Sequence, residues 1–163
     1  MNVSSKGLDA IISSFDSLDG KLVDICDKAV YKAAGLLADK LKANVQSLPI
    51  EQDANGKAPY KAGGKLYGIT TTQQEDLVNS MGIAHFRNEG GVISTSIGFA
   101  GYGRTTSKKY PNGLPNRLLM RSIESGTSFR QKNPIVRQTI TQTQKQAEET
   151  IKNEVTDNIK KEL

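Results

Sequence analysis

The sequence feature that most constrains the fold is one long amphipathic stretch between Leu18 and Leu48. Apolar residues recur there every three or four positions, so in an α-helix they all lie on one face. They are Leu18, Leu22, Ile25, Ala29, Ala33, Leu36, Leu37, Leu41, Val45 and Leu48. Aspartates and lysines fill the other face. The stretch therefore predicts a single long helix whose apolar side packs against the rest of the chain.

Local signals suggest where this helix begins and ends. Asp16 or Ser17 has the side-chain oxygen that caps a helix start, and Pro49 stops a helix at its C-terminal end. A shorter helical segment, Leu8 to Phe15, precedes the long helix, and we expect a break between the two near Gly20.

Two stretches rich in proline and glycine predict long loops, at 49–76 and 100–116. The first holds Pro49, Gly56, Pro59, Gly63, Gly64 and Gly68, with lysines between them, and the second holds Gly101, Gly103, Pro111, Gly113 and Pro115. Loops of this length in a compact domain tend to be functional or disordered. Neighbouring subunits are expected to order the first loop.

The region between the loops predicts β-structure. Leu77 to Phe86 and Val92 to Phe99 mix β-branched and apolar residues, and the turn-like segment 88–91 separates them. So short a turn favours antiparallel pairing. Alternation along the second strand places three apolar side chains on one face, namely Ile93, Ile97 and Phe99.

The last third of the chain predicts a second long helix, from Pro134 to Leu163, with proline at its first position. Leu118 to Ile123 is a short apolar stretch that fits either a strand or a helical turn. The whole pattern predicts one α+β domain over 1–163. Its long N-terminal helix packs on a small antiparallel sheet, and its long C-terminal helix is partly exposed.

Charge is concentrated in one part of the chain. Residues 102–137 hold eight bases against a single acid, Glu124, although the whole chain has a net charge of only +5. Such a stretch favours contact with a polyanion or an acidic protein surface, but it also fits a solvated loop. The candidates for that contact are Arg104, Lys108, Lys109, Arg117 and Arg121. No motif that reads DNA bases accompanies them.

Residues that carry chemistry are scarce. The chain has one histidine, His85, and one cysteine, Cys26, 59 positions apart, which rules out the ligand spacing of a zinc site. Lys65 follows two glycines, but Leu66 stands where a phosphate-binding loop needs Ser or Thr. No apolar run approaches the length needed to cross a bilayer. We therefore expect no enzyme activity, no cofactor, no metal and no membrane partner.

Several short motifs follow one another in a recognisable order. They contain Pro59, then Leu77 and Ser80, then Gly98, then Glu124, Gly126 and Thr127, and finally Pro134. In this order they resemble the phage head–tail joining or tail-completion (neck) proteins, commonly labelled tail components. The chain departs from the family pattern at Ser125, where an aromatic or apolar residue is common, and at Ile135, where Phe is common.

The resemblance implies a virion structural protein that is assembled in the host bacterial cytoplasm and located in the neck or tail. It implies a homo-oligomeric ring, expected to be a hexamer, between the head connector or adaptor and the tail tube or terminator. DNA could pass through the ring's lumen. The two loops would provide contact surfaces, and Glu124 would satisfy backbone donors or a basic neighbour near the last helix. The alternative is a DNA-binding accessory protein that uses residues 102–137.

Overall fold

The structure is a computed structural model that describes the backbone of residues 5–162 and the side chains of residues 21–162. The described part contains four helices, α1 (Ser5–Gln46), α2 (Thr71–Ser80), α3 (Asn116–Ser125) and α4 (Ile135–Glu162). It also contains four short strands, β1 (Met81–Ile83), β2 (Arg87–Glu89), β3 (Val92–Ser94) and β4 (Ile97–Phe99). The predicted α+β class, with a long helix near each end and small antiparallel sheets, is confirmed.

The two long helices lie side by side and run in opposite directions. Three contacts link them along their length. Two are the ion pairs Lys21–Glu162 and Lys32–Glu154. The third is the hydrogen bond from Asn44 Nδ2 to Thr139 Oγ1 (2.6 Å). The two helices bury several small side chains, which include Ala29, Ala33, Thr139, Thr143 and Ala147. The thin apolar stripe of α4 is thus completed by threonines.

Those buried threonines are not left with unsatisfied hydroxyls. Thr139 Oγ1 donates to the carbonyl of Ile135 at 2.7 Å, and Thr143 Oγ1 donates to that of Thr139 at 2.8 Å. A hydroxyl that is bonded within its own helix can be buried at little cost. This explains how a helix with so few aliphatic residues still has a buried face.

The predicted break in the first helix is wrong. The backbone of α1 is helical without interruption from Ser5 to Gln46, so neither Asp16 nor Ser17 starts it, although it does end before Pro49. A glycine inside a helix costs only about 1 kcal/mol relative to alanine. Over 42 residues the helix tolerates Gly20.

The boundary predicted between loop and strand is also wrong, because the family-motif residues Leu77 and Ser80 lie in helix α2. Thr70 starts that helix with a capping box. Its hydroxyl accepts from Gln73 N at 3.2 Å, while Gln73 Oε1 accepts from Thr70 N at 3.3 Å. The first loop therefore ends at Thr70, and the first strand begins only at Met81.

Antiparallel pairing is confirmed, in two separate ladders. β2 pairs with β3 across Gly90 and Gly91, which have φ values of 61° and 82°. β1 pairs with β4, so that Met81 lies opposite Phe99. The predicted strand over Val92 to Phe99 is split because its two halves have different partners.

The main core lies where α2, α3, the start of α4 and the C-terminal part of α1 meet. Its buried residues are Leu41, Val45, Leu48, Ile69, Leu77, Leu119, Met120, Ile123 and Ile135. Ile97 and Phe99 pack against it from β4, as their shared face predicts. The apolar stretch Leu118 to Ile123 is helical, in α3.

Candidate interaction surface

Four family-motif residues meet at the start of α4. The carboxylate of Glu124 accepts from Val136 N at 2.9 Å and from Arg137 N at 3.2 Å, and Arg137 Nε lies 3.6 Å from it. A carboxylate at a helix N-terminus satisfies free N–H groups and complements the helix dipole. Both predicted roles of Glu124 are confirmed. Pro134 directly precedes α4, and its carbonyl accepts from Gln138 N at 3.0 Å.

The turn between α3 and α4 depends on the next two motif residues. Gly126 has a φ of 73°, and a Cβ there would lie 3.0 Å from Lys132 N. Thr127 Oγ1 accepts from Arg130 N at 3.0 Å, while Thr127 N donates to Arg130 O at 3.0 Å. Gly126 and Thr127 therefore shape this turn.

The turn is joined to the first loop through Arg130. This side chain is only 4% exposed, its guanidinium donates to the carbonyl of Gly68, and burial lowers its pKa. Beside it, Leu66 N donates to Phe129 O and Gln131 N donates to Leu66 O, each at 2.8 Å. In the sequence, Arg130 is one of the eight bases of residues 102–137, and no local pattern marks it as buried.

Glu51 holds the first loop in place from the other side. Its carboxylate forms an ion pair with Lys61 and accepts from Gly68 N at 2.9 Å and Tyr67 N at 2.7 Å. Lys61 first, and then these backbone donors, lower the pKa of Glu51 to about 2. The loop thus has ordering contacts within its own chain.

This lowered pKa predicts a pH dependence of stability. Because the folded state favours the ionised Glu51 carboxylate, its contribution is complete above the ordinary value of 4.5 and is lost as the pH falls towards about 2. We expect the wild type to exceed Glu51→Gln in free energy of unfolding at pH 5, and the difference to shrink at pH 3. Urea titrations at both pH values measure it. A difference that stays constant would contradict the assignment.

The cap on α4 gives a second prediction. Glu124→Ala should lower the free energy of unfolding by roughly 1–2 kcal/mol, because two helix N–H groups lose their acceptor. Glu148→Ala, at an exposed position inside α4, is the matched control and should change it by less than about 0.5 kcal/mol. Thermal or urea unfolding of the two variants gives the comparison. Equal effects would mean that Glu124 is not a cap.

A wide groove opens beside this junction, between the two loops and α3. Its volume is about 690 Å³, and its walls include Pro59, Tyr60, Leu66, Leu114, Leu118 and Phe129. Tyr60 is 93% exposed and Phe129 is 56% exposed. The described residues that line it include three bases, Lys61, Lys109 and Arg130, and no acid. We call it the aromatic groove.

The structure separates the five candidate contact bases into two groups. Arg104 is engaged within the chain, since its side chain donates to Glu75 at 2.6 Å and to Asp76 at 2.7 Å, which raises its pKa. The other four are exposed, and Lys109 among them lines the groove. Lys108 precedes Lys109 in the loop, and Arg117 and Arg121 lie one turn apart on α3. Four of the five therefore remain exposed, and one of them lines the groove.

The remaining family-motif residues lie elsewhere. Leu77 is fully buried in the core, and Ser80 Oγ donates to the Leu77 carbonyl at 3.1 Å. Gly98 is exposed in β4, where an added Cβ would meet nothing within 4 Å. Only Pro59 lines the groove. Leu77 and Ser80 therefore contribute to folding. Glu124, Gly126, Thr127 and Pro134 form the junction between α3 and α4.

Comparison of the chain with protein-family models, with curated proteins and with solved structures found no match. Among the residues that the structure describes, none of the helices is both long and apolar enough to cross a membrane. The same residues contain no cluster of three or more His, Cys, Asp or Glu side chains that could hold a metal ion.

Proposed function

We propose that the chain is a structural component of the neck of a tailed phage or a phage-tail-like particle. It would act without catalysis, as a tail-completion or terminator protein that joins head connector and tail as a ring, expected to contain six copies. The observation that carries the proposal is the aromatic groove, because Tyr60 and Phe129 expose large apolar side chains beside bases. Exposed apolar patches on soluble proteins mark sites of association. The family-motif order supports the same assignment.

The proposed mechanism is adaptation between two unlike surfaces. A head-to-tail interface repeated by a closing rotation gives a ring, one face of which meets the connector while the other meets the tail tube or terminator. The exposed bases Lys108, Lys109, Arg117 and Arg121 suit either DNA in the lumen or an acidic neighbouring ring. The location would be the neck or tail of the particle.

Mass measurement and imaging test this proposal. Sedimentation and negative-stain microscopy of the purified protein, alone and with tail tubes, should show rings whose mass is a multiple of 17.7 kDa, six-fold if the expectation is right. A protein that remains monomeric at high concentration, and also in the presence of tail tubes, would refute the ring.

The four exposed bases Lys108, Lys109, Arg117 and Arg121 favour one second candidate, a DNA-binding accessory protein. Phosphate contacts make the binding constant fall steeply with salt, with a slope of roughly 0.9 per contact. Fluorescence anisotropy with a short duplex should then show tight binding at about 50 mM salt and loss near 200 mM salt. The double variant Lys109→Ala/Arg121→Ala should reduce that slope. No retention of DNA at low salt removes this candidate.

A further inference from the structure

Arg130 is a buried cation among the residues that line the aromatic groove. It is only 4% exposed, and its Nη1 donates to the Gly68 carbonyl. Its Nε is buried as well and has no hydrogen-bond partner in the part of the chain that the structure describes. Because a guanidinium has five N–H donors, this side chain can still donate to a bound group.

No carboxylate among the described residues hydrogen-bonds to this guanidinium. Burial lowers the pKa of Arg130 and the Glu51 carboxylate opposes that shift, but Glu51 already forms an ion pair with Lys61. Buried charges in proteins are usually paired, because a desolvated charge without a partner is costly. A carboxylate on a bound partner would supply the missing pair.

The rest of the groove offers apolar surface and one further cation. Its walls are formed largely by aromatic and leucine side chains, which include Tyr60, Phe129, Leu66, Leu114 and Leu118. Lys109 is exposed, and its ammonium lies 5.6 Å from the centre of the Tyr110 ring. No acid is among the described lining residues. A partner that complements this lining therefore combines an apolar side chain with negative charge.

The small number of available bases favours a peptide over a nucleic acid. A single strand of DNA or RNA needs several exposed bases along its phosphates, besides rings on which its nucleobases stack. Of the three bases among the described lining residues, Lys109 alone is both exposed and unpaired, since Lys61 is held by Glu51 and Arg130 is buried. Aromatic walls around an arginine are typical of the centre of a protein–protein interface.

We propose that the aromatic groove binds an acidic peptide segment of a neighbouring protein, in which an aromatic or large aliphatic side chain lies next to a glutamate or aspartate. The apolar side chain packs against Tyr60 and Phe129, and the carboxylate pairs with Arg130 and is attracted by Lys109. The inference rests on the proposed function and deepens it, because it names the chemistry of the neighbour that the chain takes into this groove.

A bead-bound library of random heptapeptides tests which chemistry the groove accepts. Among the peptides that the wild type retains and Phe129→Ser does not, we expect enrichment of an acid next to an aromatic or large aliphatic residue. Enrichment of basic or uncharged peptides would overturn the proposal, and so would a library from which no peptide is retained.

The affinity of the most enriched peptide, measured by fluorescence anisotropy, tests the apolar contact. Phe129→Ser should weaken binding at least about tenfold, because a half-exposed aromatic anchor is lost at small cost to folding. Tyr31→Ser is the matched control, since Tyr31 is 58% exposed on α1 and does not line the groove, and it should leave binding unchanged. Circular dichroism checks that both variants fold. Equal losses would contradict binding in the groove.

The charged contact is tested with the same peptide. Replacing its acid by the corresponding amide should weaken binding about tenfold, because charge-assisted hydrogen bonds to arginine are lost. Lys109→Glu should weaken it roughly threefold or more at low salt, whereas Lys40→Glu, at an exposed position on α1, should not. In NMR spectra the Arg130 Nε–H signal should shift and exchange more slowly when the peptide binds. An unchanged signal, or an affinity that does not depend on the acid, would overturn the pairing with Arg130.

Two further outcomes separate this inference from its alternatives. Oligo(dT) that displaces the peptide and binds more tightly would assign the groove to nucleic acid and overturn the proposal. The peptide assay needs no assembly, so its result is independent of the ring. Rings that form from a protein without peptide binding would overturn the inference alone. Peptide binding by a protein that forms no ring, with or without tail tubes, would keep the groove assignment and refute the ring.

Discussion

Leu77→Ala should lower the free energy of unfolding by about 2–5 kcal/mol. The Leu77 side chain is 0% exposed and lies in the core with Val45 and Leu119. Removing its three terminal carbons loses their burial and leaves a cavity that helices packed on several sides cannot close. Urea unfolding followed by circular dichroism measures the change.

The matched control is Ile140→Ala, which also truncates an aliphatic side chain in a helix, at a position that is 48% exposed. It should cost less than about 1 kcal/mol, because less apolar area is removed from a buried site. A loss below about 1 kcal/mol for Leu77→Ala would contradict its place in the core. A large loss would show that this family-motif leucine supports folding in a single copy, whatever its role in assembly.

Gly68→Ala should destabilise the protein by about 3 kcal/mol or more. An added Cβ would overlap the carbonyl oxygen of Pro49 and lie 2.9 Å from Glu51 Cβ. That carbonyl accepts from Ile69 N at 3.0 Å, and Glu51 accepts from Gly68 N at 2.9 Å, so any shift that relieves the overlap strains these bonds. The contact of Arg130 with the Gly68 carbonyl would be disturbed as well.

Gly82→Ala serves as the control for this substitution. Gly82 lies in β1, and a Cβ there would meet nothing within 4 Å. We expect little change or a gain of up to about 1 kcal/mol, because alanine restricts the unfolded chain. Urea titrations of both variants give the comparison. If Gly68→Ala were as stable as Gly82→Ala, the close approach of Pro49 to Gly68 would be wrong.

Periodic patterns made the larger elements predictable. The spacing of apolar residues in α1, the proline before α4 and the alternation through Ile97 and Phe99 all identify elements that the structure contains. The role of Glu124 was also predictable, because the free N–H groups and the dipole of a helix attract a carboxylate to the helix start. The position of α2 could have been found from the capping-box pattern of Thr70 and Gln73.

Other features depend on residues that are distant in the sequence. Ile97 of β4 pairs with Ile83 of β1 and does not continue the hairpin of β2 and β3. No pattern within β4 itself indicates which strand it will pair with. The groove exists only because the first loop, the second loop and α3 come together. Tyr60 and Lys109 both line it, but no sequence pattern predicts that two residues so far apart in the chain will lie close together. Arg130 and Arg104 look alike as bases, yet one is buried on a carbonyl and the other is paired with acids.

The sequence alone thus determined the long helices and the mixed α+β class, because these follow from periods and neighbours within a few residues. Only the tertiary structure decided which bases remain exposed and where the aromatic groove opens. Burial and charge pairing are properties of surfaces that meet in space. A linear pattern specifies such a meeting only when the two surfaces lie within the same turn or hairpin.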